Sequence, residues 1–222
     1  MKIDISLYRH FSFDLWLTLI RSNLQFKQKR AELLMDFFTV KLKPEKIRDI
    51  IHYYDALSNR ICEITGKHID MEEIYLLVLS KAEIDIGQLD NSVLSNFYKE
   101  TETLFMKYKP ELIYPDIDRL FKEIVTQGKT INILSNTAFI QGSTLRRVLE
   151  YYELSDYFSF QLYSDETGYS KPNKEVFDMV FYKANHTNSV SRAEIVHVGD
   201  NRIADFAGAR KAGLQSILIK SQ

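Results

Sequence analysis

The segment that decides the fold lies near the start of the sequence and reads Tyr8-Arg9-His10-Phe11-Ser12-Phe13-Asp14-Leu15-Trp16-Leu17-Thr18-Leu19. It is rich in aromatic and branched residues, and Asp14 is its only acidic residue. This composition is typical of a buried strand that runs out into a loop. A carboxylate buried at such a place is costly unless it is paired or binds a ligand. Asp14 is therefore either a functional residue or an aspartate that forms a turn or caps a helix.

Beyond residue 115, predicted helices and strands alternate to the end of the chain. Helices are predicted at 117–127, 144–152, 175–184 and 204–212, and strands at 130–135, 160–164, 195–198 and 216–219. Alternation of this kind implies right-handed crossovers and parallel pairing. The sequence therefore predicts an α/β fold with a doubly wound, mostly parallel sheet and helices on both faces.

The long stretch between these two regions has a helical pattern. From about residue 23 to residue 109, apolar residues recur at helical spacing, and four helices fit its length. One of them is predicted to start near Pro44, and Pro110 and Pro115 mark the return to the sheet. We predict an α/β core formed by residues 1–20 and 110–222, with an inserted α-helical cap at residues 21–109.

The unusual polar clusters of the sequence fall at the ends of predicted strands. They are Asp14, Ser135-Asn136-Thr137, Ser170-Lys171-Pro172, and Gly199-Asp200 with Asp205. Parallel sheets of this class bind ligands at the carboxyl ends of their strands. Two carboxylates that meet there repel each other, and Mg²⁺ relieves such repulsion because it prefers carboxylate, water and phosphate oxygens. The spacing therefore indicates a Mg²⁺ site that includes Asp14 and Asp200.

Each of the other clusters has two interpretations when it is taken alone. Ser135-Asn136-Thr137 offers donors that suit phosphate oxygens, but it is also an ordinary turn sequence. Lys171 is either a fixed cation that neutralises charge on a transferring group or a solvated surface lysine. Asp205 either caps the next helix or orients its neighbours at the site.

Composition excludes several classes of partner. The 222 residues include 29 Lys and Arg against 30 Asp and Glu, without the basic excess that binding to nucleic acid or anionic membranes usually needs. The single cysteine, Cys62, rules out an intramolecular disulfide and a thiolate zinc cluster. There is no signal-peptide pattern and no apolar run of about 18 residues. We expect a cytoplasmic protein that binds a small molecule, and no pattern predicts its oligomeric state.

The four clusters, in this order, resemble the motifs of the haloacid dehalogenase (HAD) superfamily of hydrolases. These motifs are Asp-x-x-x-Thr, Ser-Asn-Thr, Lys-Pro and Gly-Asp-x-x-x-x-Asp, and they extend over the whole chain. The resemblance implies a Rossmann-like core, a helical cap that selects the substrate, and hydrolysis of a small phosphorylated metabolite. It also implies that Asp14 is a nucleophile that forms an aspartyl-phosphate.

The same resemblance assigns roles to the remaining clusters. Asp14, Asp200 and the backbone carbonyl of Trp16 would hold Mg²⁺, and Asp205 would orient Lys171 or a metal-bound water. The phosphoryl oxygens would be bound by a larger set of residues, which comprises Thr18, Ser135, Asn136, Thr137 and Lys171.

The sequence departs from the phosphatases of this family at two positions. Trp16 stands where they carry a second aspartate that acts as acid and base, and Leu17 replaces a glycine. An indole does not transfer protons near neutral pH, and the loss of such a group costs roughly 10²- to 10⁴-fold in rate. The candidates for a replacement acid in the predicted cap are His52, Glu63 and His68, although residues of these types are more often solvated or capping than catalytic.

Trp16 leaves two further hypotheses open. One is a silent module that binds metal and phosphate without turnover. The other is a metal-independent dehalogenase, since the family's dehalogenases carry an aromatic residue at this place. Two further histidines, His10 and His197, lie on predicted strands, where we expect packed and hydrogen-bonded side chains.

Overall fold

The fold, seen in a computed structural model that describes residue 1 and residues 3–220, is built around one parallel sheet. Its strands are β1 (His10–Phe13), β4 (Thr130–Ser135), β5 (Phe158–Tyr163), β6 (Ile195–Gly199) and β7 (Gln215–Leu218), in the order β5-β4-β1-β6-β7. Two short strands, β2 (Ile20–Arg21) and β3 (Glu111–Leu112), form a separate antiparallel pair. The α/β class with a parallel sheet, predicted from the alternating pattern, is confirmed.

Strand β1 lies at the centre of the sheet. All four of its residues are buried, and it pairs in parallel with β4 on one side and β6 on the other. Phe13, its last residue, is aligned with Ile133 and Val198. Because both neighbours run in the same direction, the carboxyl ends of three adjacent strands meet at one edge of the sheet.

Helices cover both faces of this sheet. One face packs with α5 (Ile117–Thr126) and α6 (Gly142–Tyr151), and the other packs with α8 (Lys174–Asn188) and α9 (Gly208–Lys211). Side chains of β4 alternate between the two cores, with Ile133 in the first and Leu134 in the second. A one-turn helix, α7 (Ser164–Thr167), follows β5 directly.

Four helices lie between β2 and β3, where the sequence has its long helical pattern. They are α1 (Leu24–Phe38), α2 (Pro44–Thr65), α3 (Met71–Lys81) and α4 (Asn91–Lys107). Pro44 is the first residue of α2, a position that tolerates proline because its missing N–H would be unpaired there. We call α1 to α4 the helical insertion; the division of the chain into core and cap at residues 20 and 110 stays a prediction.

Several element boundaries differ from those that the sequence predicts. The first strand ends at Phe13, and residues 15–20 form a tight turn in which the N–H groups of Leu19 and Ile20 both donate to the Leu15 carbonyl. The strand predicted at 160–164 begins two residues earlier. The helix predicted at 204–212 begins as a π-helical turn at Arg202–Ala207, because the Asn201 side chain caps the N–H groups at its start.

The two histidines on the strands, His10 and His197, are buried and hydrogen-bonded, as expected from their positions.

None of the helices in the described residues combines the length and the apolar content needed to cross a bilayer.

His10 makes the stability of the fold depend on pH. Its ring donates through Nε2 to Asn132 Oδ1 at 2.8 Å and accepts at Nδ1 from the Thr130 hydroxyl at 2.7 Å. Burial disfavours the imidazolium and lowers the pKa of His10 to about 4. The folded protein therefore binds fewer protons here than the unfolded chain, whose histidine has a pKa of about 6.5.

We expect His10 to remove about 3 kcal/mol of the free energy of unfolding as the pH falls from about 6.5 to about 4. The sign follows because the unfolded chain takes up the proton first, so stability is complete above pH 6.5 and declines below it. Urea unfolding of the wild type and of His10→Gln at several pH values measures this difference, with the exposed His186→Gln as control. Equal pH slopes in the wild type and His10→Gln would contradict the expectation.

Candidate active site

Four segments bring polar side chains to the edge of the sheet where β1, β4 and β6 end. Asp14 directly follows β1, and its N–H donates to the Val198 carbonyl of β6 at 2.9 Å. Ser135 is the last residue of β4, and Asp200 directly follows β6. Lys171 comes from the loop between α7 and α8. The residues of all four motifs therefore converge at one place.

Lys171 is the centre of this cluster. Its Nζ lies 2.5 Å from Asp14 Oδ1 and 2.7 Å from Asp205 Oδ1, and it donates to the Leu134 carbonyl at 2.9 Å. Only 2% of the residue is exposed. Burial disfavours the ammonium, but the carboxylates of Asp14 and Asp205 raise the pKa of Lys171 above its usual range. A permanently charged amine therefore bridges the two carboxylates.

Asn136 holds the backbone on which Lys171 stands. Its Nδ2 donates to the Lys171 carbonyl at 3.0 Å, and its Oδ1 accepts from the Lys171 N–H at 2.7 Å. Both functional atoms of the amide are therefore used in positioning the lysine. The predicted contact of Asn136 with a phosphoryl oxygen stays a prediction, and the structure adds this positioning contact to it.

Asp205 is held by three contacts. Oδ1 contacts Lys171 and accepts from His197 Nε2 at 3.0 Å, while Oδ2 accepts from the Asn201 N–H at 3.0 Å. Burial opposes its ionisation, yet the Lys171 ammonium and the His197 hydrogen bond hold the pKa of Asp205 well below its usual range. The predicted role of orienting Lys171 agrees with this geometry. Sequence reasoning did not connect His197 with the site, because its position on a strand indicated only packing.

The pKa values of Asp14 and Asp200 are raised, whereas that of Asp205 is lowered. Burial raises the pKa of Asp14 to about 6, and the negative charges of Asp205 and Asp200 contribute to this rise, whereas Lys171 opposes it. The pKa of half-buried Asp200 is raised by burial and by Asp205. Together with Asp205 these residues place carboxylate oxygens within 4.8 Å of one another. A further positive charge would stabilise Asp14 and Asp200 in their ionised forms.

This donor set fits a Mg²⁺ ion, which prefers hard oxygen ligands. The oxygens of Asp205 are already occupied by the contacts described above, so Asp14 and Asp200 are the carboxylates with capacity for a metal. Metal binding by Asp14, Asp200 and the Trp16 carbonyl stays a prediction.

The remaining predicted residues differ in their surroundings. The hydroxyl of Thr18 is buried and has no hydrogen-bond partner among the described residues, and the Ser135 hydroxyl makes a long contact of 3.2 Å with the Asn136 carbonyl. Thr137 instead contacts Ser164 and Asp165 through its hydroxyl, at 3.0 and 2.9 Å. Its hydroxyl is therefore engaged away from Lys171, and substrate binding by Thr137 stays a prediction.

A cavity of about 450 Å³ opens above Asp14, Lys171 and Asp200. Its walls are formed by the loop after β1, by helices α1, α2 and α4 of the insertion, and by the segment after β4. Such a volume is typical of a pocket for a small molecule. The insertion therefore shapes the space in which a substrate would lie.

The side chains of this cavity separate the candidates for the missing acid. His52 and Glu63 line it, and Glu63 Oε1 accepts from Asn201 Nδ2 at 2.5 Å. His68 is instead bound to the Ser164 hydroxyl at 3.0 Å. Trp16 also lines the cavity and packs against Phe105 of α4, with ring centroids 6.3 Å apart. The indole thus forms part of the hydrophobic wall of the cavity, and its correspondence to the family's second aspartate stays a prediction.

The comparisons with known proteins agree with this fold. The family model described as haloacid dehalogenase-like hydrolase matches residues 8–213, which is nearly the whole chain. The structure is similar to that of YfnB from Bacillus subtilis, solved with bound magnesium, with a TM-score of 0.70 and 20% identity over 96% of this chain and 88% of that one. The chain belongs to the haloacid dehalogenase-like hydrolases, and the resemblance inferred from its motifs is confirmed.

Two curated relatives are similar over shorter stretches. The ribulose-1,5-bisphosphate 5-phosphatase of Halopiger xanaduensis is 30% identical over 172 residues, which is 75% of this chain and 66% of that protein. The pyrimidine 5'-nucleotidase YjjG of Escherichia coli is 38% identical over 80 residues, 36% of this chain and 34% of that protein. The matched stretches thus cover less than two thirds of these relatives' own length.

Gly199 leaves the room that Asp205 needs. A Cβ at this position would lie 2.2 Å from the Asp205 carboxyl carbon, and the contacts of Asp205 with Lys171 and His197 prevent it from moving freely. We expect Gly199→Ala to lower the free energy of unfolding by about 1–3 kcal/mol, as is typical of overpacking. Urea unfolding measures the change. In the control Gly87→Ala the nearest atom is 3.4 Å away, and equal stability of both variants would contradict the expectation.

Proposed function

We propose that this chain is a Mg²⁺-dependent phosphatase of small phosphorylated metabolites that forms an aspartyl-phosphate on Asp14. The observation that carries the proposal is the buried Asp14 carboxylate, held by Lys171 beside Asp200 at the floor of a cavity of small-molecule size. The names of the two curated relatives, a bisphosphate phosphatase and a nucleotidase, agree with this chemistry.

The proposed reaction has two displacement steps. In the first, an Asp14 oxygen attacks phosphorus, a new O–P bond forms, and the bond to the leaving oxygen breaks. In the second, water attacks the phosphorus of the aspartyl-phosphate, so that phosphate leaves and the Asp14 carboxylate is restored. The covalent intermediate divides one difficult displacement into two easier ones, and Asp14 is ready for the next substrate at the end.

Lys171 neutralises charge in both steps. Its ammonium is already fixed by Asp205 and by the Leu134 carbonyl, so little reorganisation is needed when phosphoryl oxygens approach Asp14. The hydroxyls of Thr18 and Ser135 would donate to the same oxygens. Mg²⁺ bound by Asp14 and Asp200 would stabilise the negative charge that develops on the phosphoryl group.

We expect Mg²⁺-dependent phosphate release from a panel of phosphomonoesters and acyl phosphates. Asp14→Asn should lower this rate by at least ~10³-fold, because it removes the nucleophile. Phosphate release with and without Mg²⁺ is the measurement, and the exposed Asp118→Asn is the control. Turnover that persists in Asp14→Asn, or that is equally fast in chelator, would contradict the proposal.

The tryptophan at position 16 leads to a second prediction, which concerns the choice of leaving group. Since no aspartate stands at this place to protonate the leaving oxygen, acyl and aryl phosphates should react about 10²- to 10⁴-fold faster than alkyl phosphates. The slope of rate against leaving-group pKa measures this preference, which Trp16→Asp should weaken and Trp16→Phe should keep. Equal rates for aryl and alkyl esters would mean that another group, such as Glu63 or His52, supplies the proton.

The same observation at Trp16 supports a second candidate function, a module that binds metal and phosphate without turnover. In that case Mg²⁺ and phosphate would bind, but no ester would be hydrolysed. The metal-independent dehalogenase would instead release halide from a 2-haloacid in the presence of chelator. We favour the phosphatase because Asp200 brings a second carboxylate to Asp14, which is costly without a further cation in addition to Lys171.

A further inference from the structure

We propose that Arg30 forms a second anion-binding site in the cavity, and that the substrate carries a carboxylate or second phosphate in addition to the transferred phosphoryl group. This inference rests on the proposed function for the role of the phosphoryl end. The carboxylate and phosphate alternatives share one chemistry, a pair of anionic oxygens that a guanidinium recognises.

Arg30 is a buried cation without a counter-ion. It lies on α1, only 8% of it is exposed, and its Nε has no hydrogen-bond partner in the part of the chain that the structure describes. Within the same described residues, no carboxylate oxygen lies within 4.0 Å of its guanidinium. Buried charges in proteins are normally paired or bind a ligand, because burial of an unpaired charge is costly.

The guanidinium is held rigidly in this unpaired state. Its Cζ lies 5.2 Å from the ring centroid of Phe26 and 4.6 Å from that of Phe139. Stacking on two rings stabilises a cation but leaves the N–H groups at its edge free to donate. The flanking rings therefore orient the guanidinium without consuming its donors, and the buried Tyr75 hydroxyl lies beside it as a polar neighbour.

Arg30 lies in the same cavity as the proposed reaction centre. Arg30, Phe26 and Phe139 all line the cavity that has Asp14 and Lys171 at its floor. A molecule whose phosphoryl group contacts Lys171 would thus extend toward a second fixed cation on the helical insertion. Helix α2 also lines the cavity and contributes Asp55 and Glu63.

A purely structural role for Arg30 makes a different prediction about stability. If the stacking on Phe26 and Phe139 were its purpose, Arg30→Met would lower Tm. If the role of the guanidinium is to bind an anionic ligand, Arg30→Met removes an uncompensated buried charge from the ligand-free protein, and its Tm stays equal or rises. Thermal unfolding of this variant without ligand separates the two roles, and it also shows whether the variant is folded.

Binding of phosphonates tests the site without turnover. In calorimetric titrations with Mg²⁺, we expect 3-phosphonopropionate or propane-1,3-bisphosphonate to bind the wild type about 10- to 100-fold more tightly than propylphosphonate. The ligand with the larger gain identifies the second group as carboxylate or phosphate. Arg30→Met should abolish the gain and Arg30→Lys should keep part of it. Lys29→Met, which removes an exposed cation of α1 that does not line the cavity, should keep it.

A dicarboxylate separates this inference from the proposed function. Succinate has no phosphoryl group, so its binding reports on Arg30 even if the chain hydrolyses no ester. Succinate binding that is lost in Arg30→Met and kept in Asp14→Asn supports the second site independently. Equal affinity of the wild type for all three phosphonates, or a preference that survives Arg30→Met, would overturn it, whatever the outcome of the phosphatase assay.

Discussion

The ion pairs of Lys171 with Asp14 and Asp205 are the interaction on which the site depends. Asp14 is buried at the end of the central strand, and without a cation its ionised form would be strongly disfavoured. Lys171 supplies that cation, and Asp205 in turn keeps Lys171 charged and in place. Breaking such a buried network by removing one partner is strongly destabilising, because it leaves a charge without compensation. The same contacts that set the charges of the site are therefore part of what stabilises the fold around it.

The loop that carries Lys171 is fixed by two parts of the chain. On the sheet side, Asn136 binds both backbone atoms of the lysine. On the side of the helical insertion, the Gly66 carbonyl accepts from the Ser170 N–H at 3.0 Å, and the His68 N–H donates to the Gly168 carbonyl at 3.2 Å. Because the loop after α2 contacts the lysine loop directly, the insertion both encloses the cavity and supports the charge at its floor.

The insertion also determines the character of the cavity walls. The turn after β1 has Leu17 at φ 58°, a left-handed conformation that is uncommon for a side chain of this size, and it presents both Leu17 and Trp16 to the cavity. Trp16 then packs against Phe105 of α4, while Phe26 and Phe139 stack on Arg30. Aromatic side chains therefore line part of the cavity that contains Lys171 and Arg30.

Local patterns were sufficient for the fold class and for the elements that lead to the site. The alternation after residue 115 predicted a parallel sheet, and strand 130–135 has the predicted bounds, because periodicity and turn residues act within a few neighbours. The motifs also predicted that Asp14, Asp200, Asp205 and Lys171 belong together, since strand ends in a parallel sheet must meet.

Only the tertiary structure decided which contacts these residues make. Asn136 binds the backbone of Lys171 and Thr137 contacts Ser164, and in both pairs the partners are far apart along the chain. His197 supports Asp205, although its position on a strand indicated only packing. Arg30 was not singled out at all, because an arginine within an amphipathic helix has no local signal that distinguishes a buried cation from a solvated one. Burial and pairing are set by chain segments that meet in space, and a pattern along the sequence carries no information about the distance between them.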